Sequence, residues 1–125
     1  MRIKAMLMVV SIALTPAVAL AQGHTHGHAK QGGVVTEVND IDYELVARPD
    51  VIRLYVRDHD KPVPVTNASA KLTLLNGNEK SEVTLAPTGD KLEATGSFKV
   101  ARGTKVVAVV TLPGKRAQSV RFEIK

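Results

Sequence analysis

The chain has 125 residues, 17 Lys and Arg against 12 Asp and Glu, a formal charge of +5, 44% hydrophobic residues and no Cys or Trp. That length supports one domain with a real core, and the absence of Cys excludes disulfides, thiolate metal ligands and thiol nucleophiles. The cations are scattered and the only aromatics are Tyr43, Tyr55, Phe98 and Phe122, which excludes the basic face with stacking rings that marks nucleic-acid binders.

Residues 1–21 begin with Arg2 and Lys4, continue as an apolar run over residues 5–14 and end in Ala19-Leu20-Ala21. This is the build of a secretory signal peptide cleaved before Gln22. A membrane-spanning helix needs about 20 apolar residues. The run is shorter and is interrupted by Ser11, Thr15 and Pro16, so no stable membrane anchor is expected. Cleavage leaves 104 residues with a charge of +3 and removes Met1, Met6 and Met8, the only methionines. Without sulfur ligands, soft Cu(I) is excluded, and only nitrogen and oxygen donors remain, which suit Cu(II), Ni(II) and Zn(II).

Residues 22–33 are rich in Gly, His, Gln and Lys and have little to bury, so they predict a flexible arm unless a metal or the domain orders it. His24, His26 and His28 stand at alternate positions, on one side of an extended segment, where two or three imidazoles can share an ion. If cleavage falls before Gln22, its free amine, two backbone amides and His24 form a four-nitrogen square suited to Cu(II) or Ni(II). The competing reading is a solvated leader with adventitious metal affinity.

From Val34 onward, apolar and polar residues alternate in short runs separated by turn formers. Period two predicts strands at residues 41–47, 52–57, 71–75, 82–86, 91–95, 97–100, 104–112 and 119–124. The unbroken apolar run 106–110 predicts a central strand covered on both faces. Turns are expected at Asn39-Asp40, Pro49-Asp50, residues 58–62, Asn76-Gly77-Asn78, residues 87–90, Arg102-Gly103 and Pro113-Gly114. The expected fold is all-β: an immunoglobulin-like antiparallel sandwich of about seven to eight strands over residues 34–125, after the signal peptide and the arm.

His59 lies between two carboxylates in Asp58-His59-Asp60, a sequence that fits either an oxygen and nitrogen metal site or ordinary turn chemistry. Asp40, Asp42 and Glu44 alternate along a strand and read as solvated surface. No nucleophile elbow, paired acid and base or phosphate-binding loop is present, so an enzyme is not expected.

Gly32-Gly33-Val34-Val35, Tyr43-Glu44-Leu45-Val46, the run from Leu54 through Arg57-Asp58-His59-Asp60-Lys61-Pro62-Val63, and Lys71-Leu72-Thr73-Leu74-Leu75-Asn76-Gly77 together resemble small His-rich periplasmic proteins of Gram-negative bacteria. The same pattern is similar to the small β domain of heavy-metal efflux adaptors, with one departure. In the adaptor pattern His directly precedes Gly-Gly, whereas Ala29-Lys30-Gln31 intervenes here. The resemblance implies a periplasmic module in metal homeostasis or resistance. The expected function is a periplasmic protein that binds a divalent ion of copper, nickel or zinc, with candidate ligands Gln22, His24, His26, His28, Asp58, His59 and Asp60, and that buffers it or delivers it to an efflux component. The alternative is a β-sandwich interaction module pairing through an edge strand such as residues 119–125, with an incidental His-rich leader.

Overall fold

The computed structural model describes residues 28–125. The expected signal peptide and the candidate ligands Gln22, His24 and His26 lie outside the described residues. The described residues form nine strands and no helix: β1 (Val34–Val38), β2 (Ile41–Ala47), β3 (Val51–Asp58), β4 (Lys61–Pro62), β5 (Ser69–Asn76), β6 (Glu79–Thr88), β7 (Lys91–Thr95), β8 (Lys105–Thr111) and β9 (Gln118–Glu123).

Alternation explains most of them. In β5, Ala70, Leu72 and Leu74 are buried while Ser69 and Lys71 are exposed, and in β8 Val106, Ala108 and Val110 are buried while Lys105 and Thr111 are exposed. Such strands have one wet face and one core face, the pattern of antiparallel sheets. Two tight reversals show their chemistry in the backbone. Asn39 and Asp40 have φ of 52° and 66°, and His59 and Asp60 have 50° and 66°. Positive φ at both central residues marks type I′ hairpin turns, whose twist matches that of the strands they join.

All pairings are antiparallel in the order β1-β2-β3-β7-β6-β5-β8-β9, with β4 against the end of β3. The long β6 serves two neighbours: residues 79–85 pair with β5 and residues 86–88 with β7. The sheet therefore turns a corner at β6, and its two ends approach each other. Thr36 Oγ1 donates to the Arg121 carbonyl at 2.7 Å, and Asn39 Nδ2 donates to Gln118 Oε1 at 3.2 Å. The sheet is thus nearly barrel-shaped, with Leu45, Ile52, Leu54, Leu72, Leu85, Leu92 and Val120 in its interior.

Three expectations are corrected. Residues 97–100 are not a strand: Phe98 N donates to the Pro49 carbonyl and Gly96 N to the Asp50 carbonyl, so this stretch crosses from β7 toward β8 bonded to a loop. Strand β8 is covered on one face only. Val109 is 41% exposed on the other, so its valines reflect the fit of branched side chains to a pleated surface rather than double burial. Finally, Asp42 and Glu44 are not solvated: they are 3% and 0% exposed, and over Glu44 residues 30–33 fold back across the outer face of β2.

Candidate metal centre

Strand β2 is buried on both faces, and the two faces differ in chemistry. Tyr43 and Leu45 point into the core, while Asp42, Glu44 and Val46 lie on the opposite face. Glu44 organises that face. Its Oε1 accepts from the Lys30 N–H at 2.9 Å and its Oε2 from the Gln31 and Gly33 N–H groups at 2.8 and 2.9 Å. Arg57 Nη2, from the neighbouring strand β3, completes the set with an ion pair to Glu44 Oε1 at 2.9 Å. Burial pushes the Glu44 carboxyl toward neutrality, but the N–H groups of Gly33, Lys30 and Gln31 and the Arg57 guanidinium outweigh it, and its pKa falls below the ordinary value.

The two glycines before β1 make this approach feasible. Gly32 has φ of +78°, a conformation that costs most side chains energy, and a Cβ on Gly33 would stand 2.2 Å from the Leu45 carbonyl oxygen. The Gly32-Gly33 pair is therefore a device for laying the arm's backbone on β2.

The same cluster brings the arm to the β3–β4 turn. Arg57 Nη2 also donates to the His28 carbonyl at 3.1 Å, and Lys30 Nζ pairs with Asp60 Oδ1 at 3.3 Å. His59 itself lines a separate cleft with Asn39, Asp40, Tyr43 and Asp58, and its Nδ1 lies 2.5 Å from Asp58 Oδ1. Where Nδ1 carries the hydrogen, that carboxylate accepts it. A carboxylate that orients an imidazole in this way is the usual outer partner of a histidine ligand. A cleft of about 190 Å³ between Lys30, Gln31, Tyr55, Arg57, Asp60 and Asp90 separates the arm from the turn.

The structure thus keeps Asp58, His59 and Asp60 on one turn and ties the arm to Asp60 through Lys30 and to Arg57 through the His28 carbonyl. Among the described residues, no group of three or more His, Asp or Glu is gathered closely enough to hold an ion. The residues missed by sequence reasoning are Glu44 and Arg57. Their only signals were a Gly-Gly lead-in before an acidic strand and an Arg in the adjacent strand, which taken singly read as turn and surface.

No family model, curated protein or solved structure matches the chain. The candidate site therefore rests on this geometry and chemistry.

Proposed function

We propose that this chain is a non-enzymatic periplasmic protein that binds a divalent transition-metal ion, Cu(II), Ni(II) or Zn(II), and buffers it or passes it to an efflux component. The observation that supports this best is the attachment of the arm's root beside the Asp58-His59-Asp60 turn, through Arg57 to His28 and Asp60 to Lys30. His24, His26 and His28 supply imidazoles to an ion near that turn, and His59 adds another, oriented by Asp58. Asp60 supplies an oxygen once Lys30 yields. For Cu(II) or Ni(II), the amine of Gln22 with the following amides and His24 offers the tetragonal alternative. In this reading residues 1–21 are the cleaved signal peptide. The two halves of the sheet on either side of β6 are the layers of an immunoglobulin-like sandwich.

The test is calorimetric titration of the mature chain with Zn(II) and Cu(II), against a variant with His24, His26 and His28 changed to Ala. Truncation is the poorer control, because starting the chain at Gly32 also deletes two N–H donors to Glu44. Imidazoles bind metal when neutral, so affinity should hold at about pH 7.5 and collapse near pH 5. Binding that ignores pH, or that survives the triple substitution unchanged, refutes the proposal.

The competing reading, an interaction module, draws support from β9, which ends the strand order and, among the described residues, pairs through a backbone ladder with β8 only. Its signature is partner capture that does not change when the three arm histidines are replaced.

A further inference from the structure

We propose that the mouth of the barrel beside the β1–β2 turn is a binding site for a small amphipathic zwitterion, of the class of apolar amino acids and short apolar peptides, with Tyr43 as its polar anchor. This site does not depend on the metal reading above. It takes a ligand whose apolar body enters the end of the barrel while its ammonium and carboxylate stay at the charged rim.

Three connections meet at this mouth: the turn at Asn39 and Asp40, the β3–β4 turn at Asp58 and His59, and the segment from β8 to Gln118. The Asn39 Nδ2 bond to Gln118 Oε1, at 3.2 Å, joins the two ends of the sheet there. Between the connections lies a cleft of about 500 Å³, a size that suits a small molecule, and the mouths of β-barrels are common places for such sites. Its floor is apolar and comes from both ends of the sheet, with the buried Tyr43 from β2 and the buried Val110 and Leu112 from the end of β8 and just beyond it. Half-buried Val38 and Ile41 extend that surface toward the rim.

Tyr43 is the observation that points to a ligand. It is 3% exposed, yet its hydroxyl makes no hydrogen bond among the described residues, and burial raises its pKa with no bonded group to offset the effect. A buried tyrosine usually finds a partner for its O–H, because an unbonded polar group in the interior costs free energy. The cleft that Tyr43 lines is where this hydroxyl can be satisfied. The rim carries both signs of charge and does not neutralise itself. Asp40 on one connection and Lys115 and Arg116 on another enter no ion pair among the described residues, although all three line the one cleft. An ammonium fits the Asp40 side, where Asp58 adds a second carboxylate, and a carboxylate fits the side of Lys115 and Arg116. Tyr43 can then donate to an oxygen of the ligand. A ligand of a single charge leaves half of that rim unused.

The experiment titrates the protein with leucyl-leucine in the presence of EDTA, which keeps metal out of the measurement, followed by calorimetry and amide NMR shifts. Saturable binding is expected, with the shifts gathered at residues 38–43, 110–112 and 115–118. Blocking either end of the peptide, as N-acetyl-leucyl-leucine or as leucyl-leucinamide, should weaken binding about tenfold or more, the worth of a hydrogen bond to a charged group. Tyr43→Phe keeps the ring and removes only the hydroxyl, so affinity should fall about 2- to 10-fold while circular dichroism stays that of the parent. Asp40→Asn, at a left-handed position that Asn tolerates, should abolish the preference for a free amine, and Lys115→Gln with Arg116→Gln the preference for a free carboxylate. Should the Tyr43 variant not fold, these exposed substitutions decide. No saturable binding up to millimolar peptide, equal affinity for the blocked peptides, or unchanged affinity in folded Tyr43→Phe overturns the proposal.

Discussion

Glu44→Gln tests the central electrostatic claim with almost no change in volume. In the parent, a carboxylate of 0% exposure accepts from three N–H groups and pairs with an Arg side chain that is 6% exposed. The amide keeps one acceptor oxygen and turns its NH₂ toward donors, and Arg57 loses its counter-charge inside the protein. Removing one partner of a buried pair costs about 3–5 kcal/mol, a large share of the roughly 5–15 kcal/mol that holds a domain together. At about 4 °C or more per kcal/mol for a domain of this size, the melting temperature should fall by roughly 12 °C or more. Thermal and urea unfolding followed by circular dichroism suit a chain without Trp. Amide exchange should also accelerate at Lys30, Gln31 and Gly33. A loss within about 0.5 kcal/mol, the level of an ordinary surface substitution, refutes the claim that this carboxylate clamps the arm.

The pH dependence of that gap has a fixed sign. The Glu44 pKa lies below its ordinary value of 4.5 in the folded state, so the unfolded chain takes up the proton first as pH falls. Its contribution is complete above the unfolded value and is lost as pH drops through the folded one. The stability difference between parent and Glu44→Gln should therefore be flat from pH 7 to about pH 5 and narrow below about pH 4. A gap that grows on acidification contradicts the lowered pKa.

Two further substitutions probe the approach of the arm and the role of the turn. Gly33→Ala puts a Cβ 2.2 Å from one backbone atom of Leu45 and 2.8 Å from another, and should cost about 1–3 kcal/mol. Gly32→Ala meets nothing within 4 Å and should cost only the roughly 1 kcal/mol of its left-handed conformation; equal melting temperatures for the two contradict the close-approach account. His59→Gly relieves a residue at φ 50° and should leave stability unchanged or raise it by up to about 1 kcal/mol. Zinc titration of the same variant should show weakened binding, and an unchanged isotherm removes His59 from the site.

Much of the fold was legible because its signals are local. The alternation in β5 and β8 and the turns at Asn39-Asp40 and His59-Asp60 depend on a few neighbouring residues, whose side-chain period and backbone conformations are intrinsic. Residues 97–100 alternate equally well and still form no strand, because their backbone bonds go to Pro49 and Asp50. Periodicity reports which side chains alternate; it does not report whether a neighbouring strand is there to pair.

The candidate site divides along the same line. His24, His26, His28, Asp58, His59 and Asp60 stood out by composition and spacing, since metal-ligand chemistry is a property of side-chain type. Glu44 did not, because an acid alternating with Tyr43 and Leu45 along a strand looks the same whether water or chain lies above it. The sequence alone determined the all-β class, the main turns and the nitrogen and oxygen donors on offer. Only the tertiary structure decided that β6 bends the sheet toward closure and that residues 28–33 return over β2 to enclose Glu44 and Arg57. Burial of a charge depends on what the rest of the chain places above it, and that is set by long-range packing rather than by local sequence.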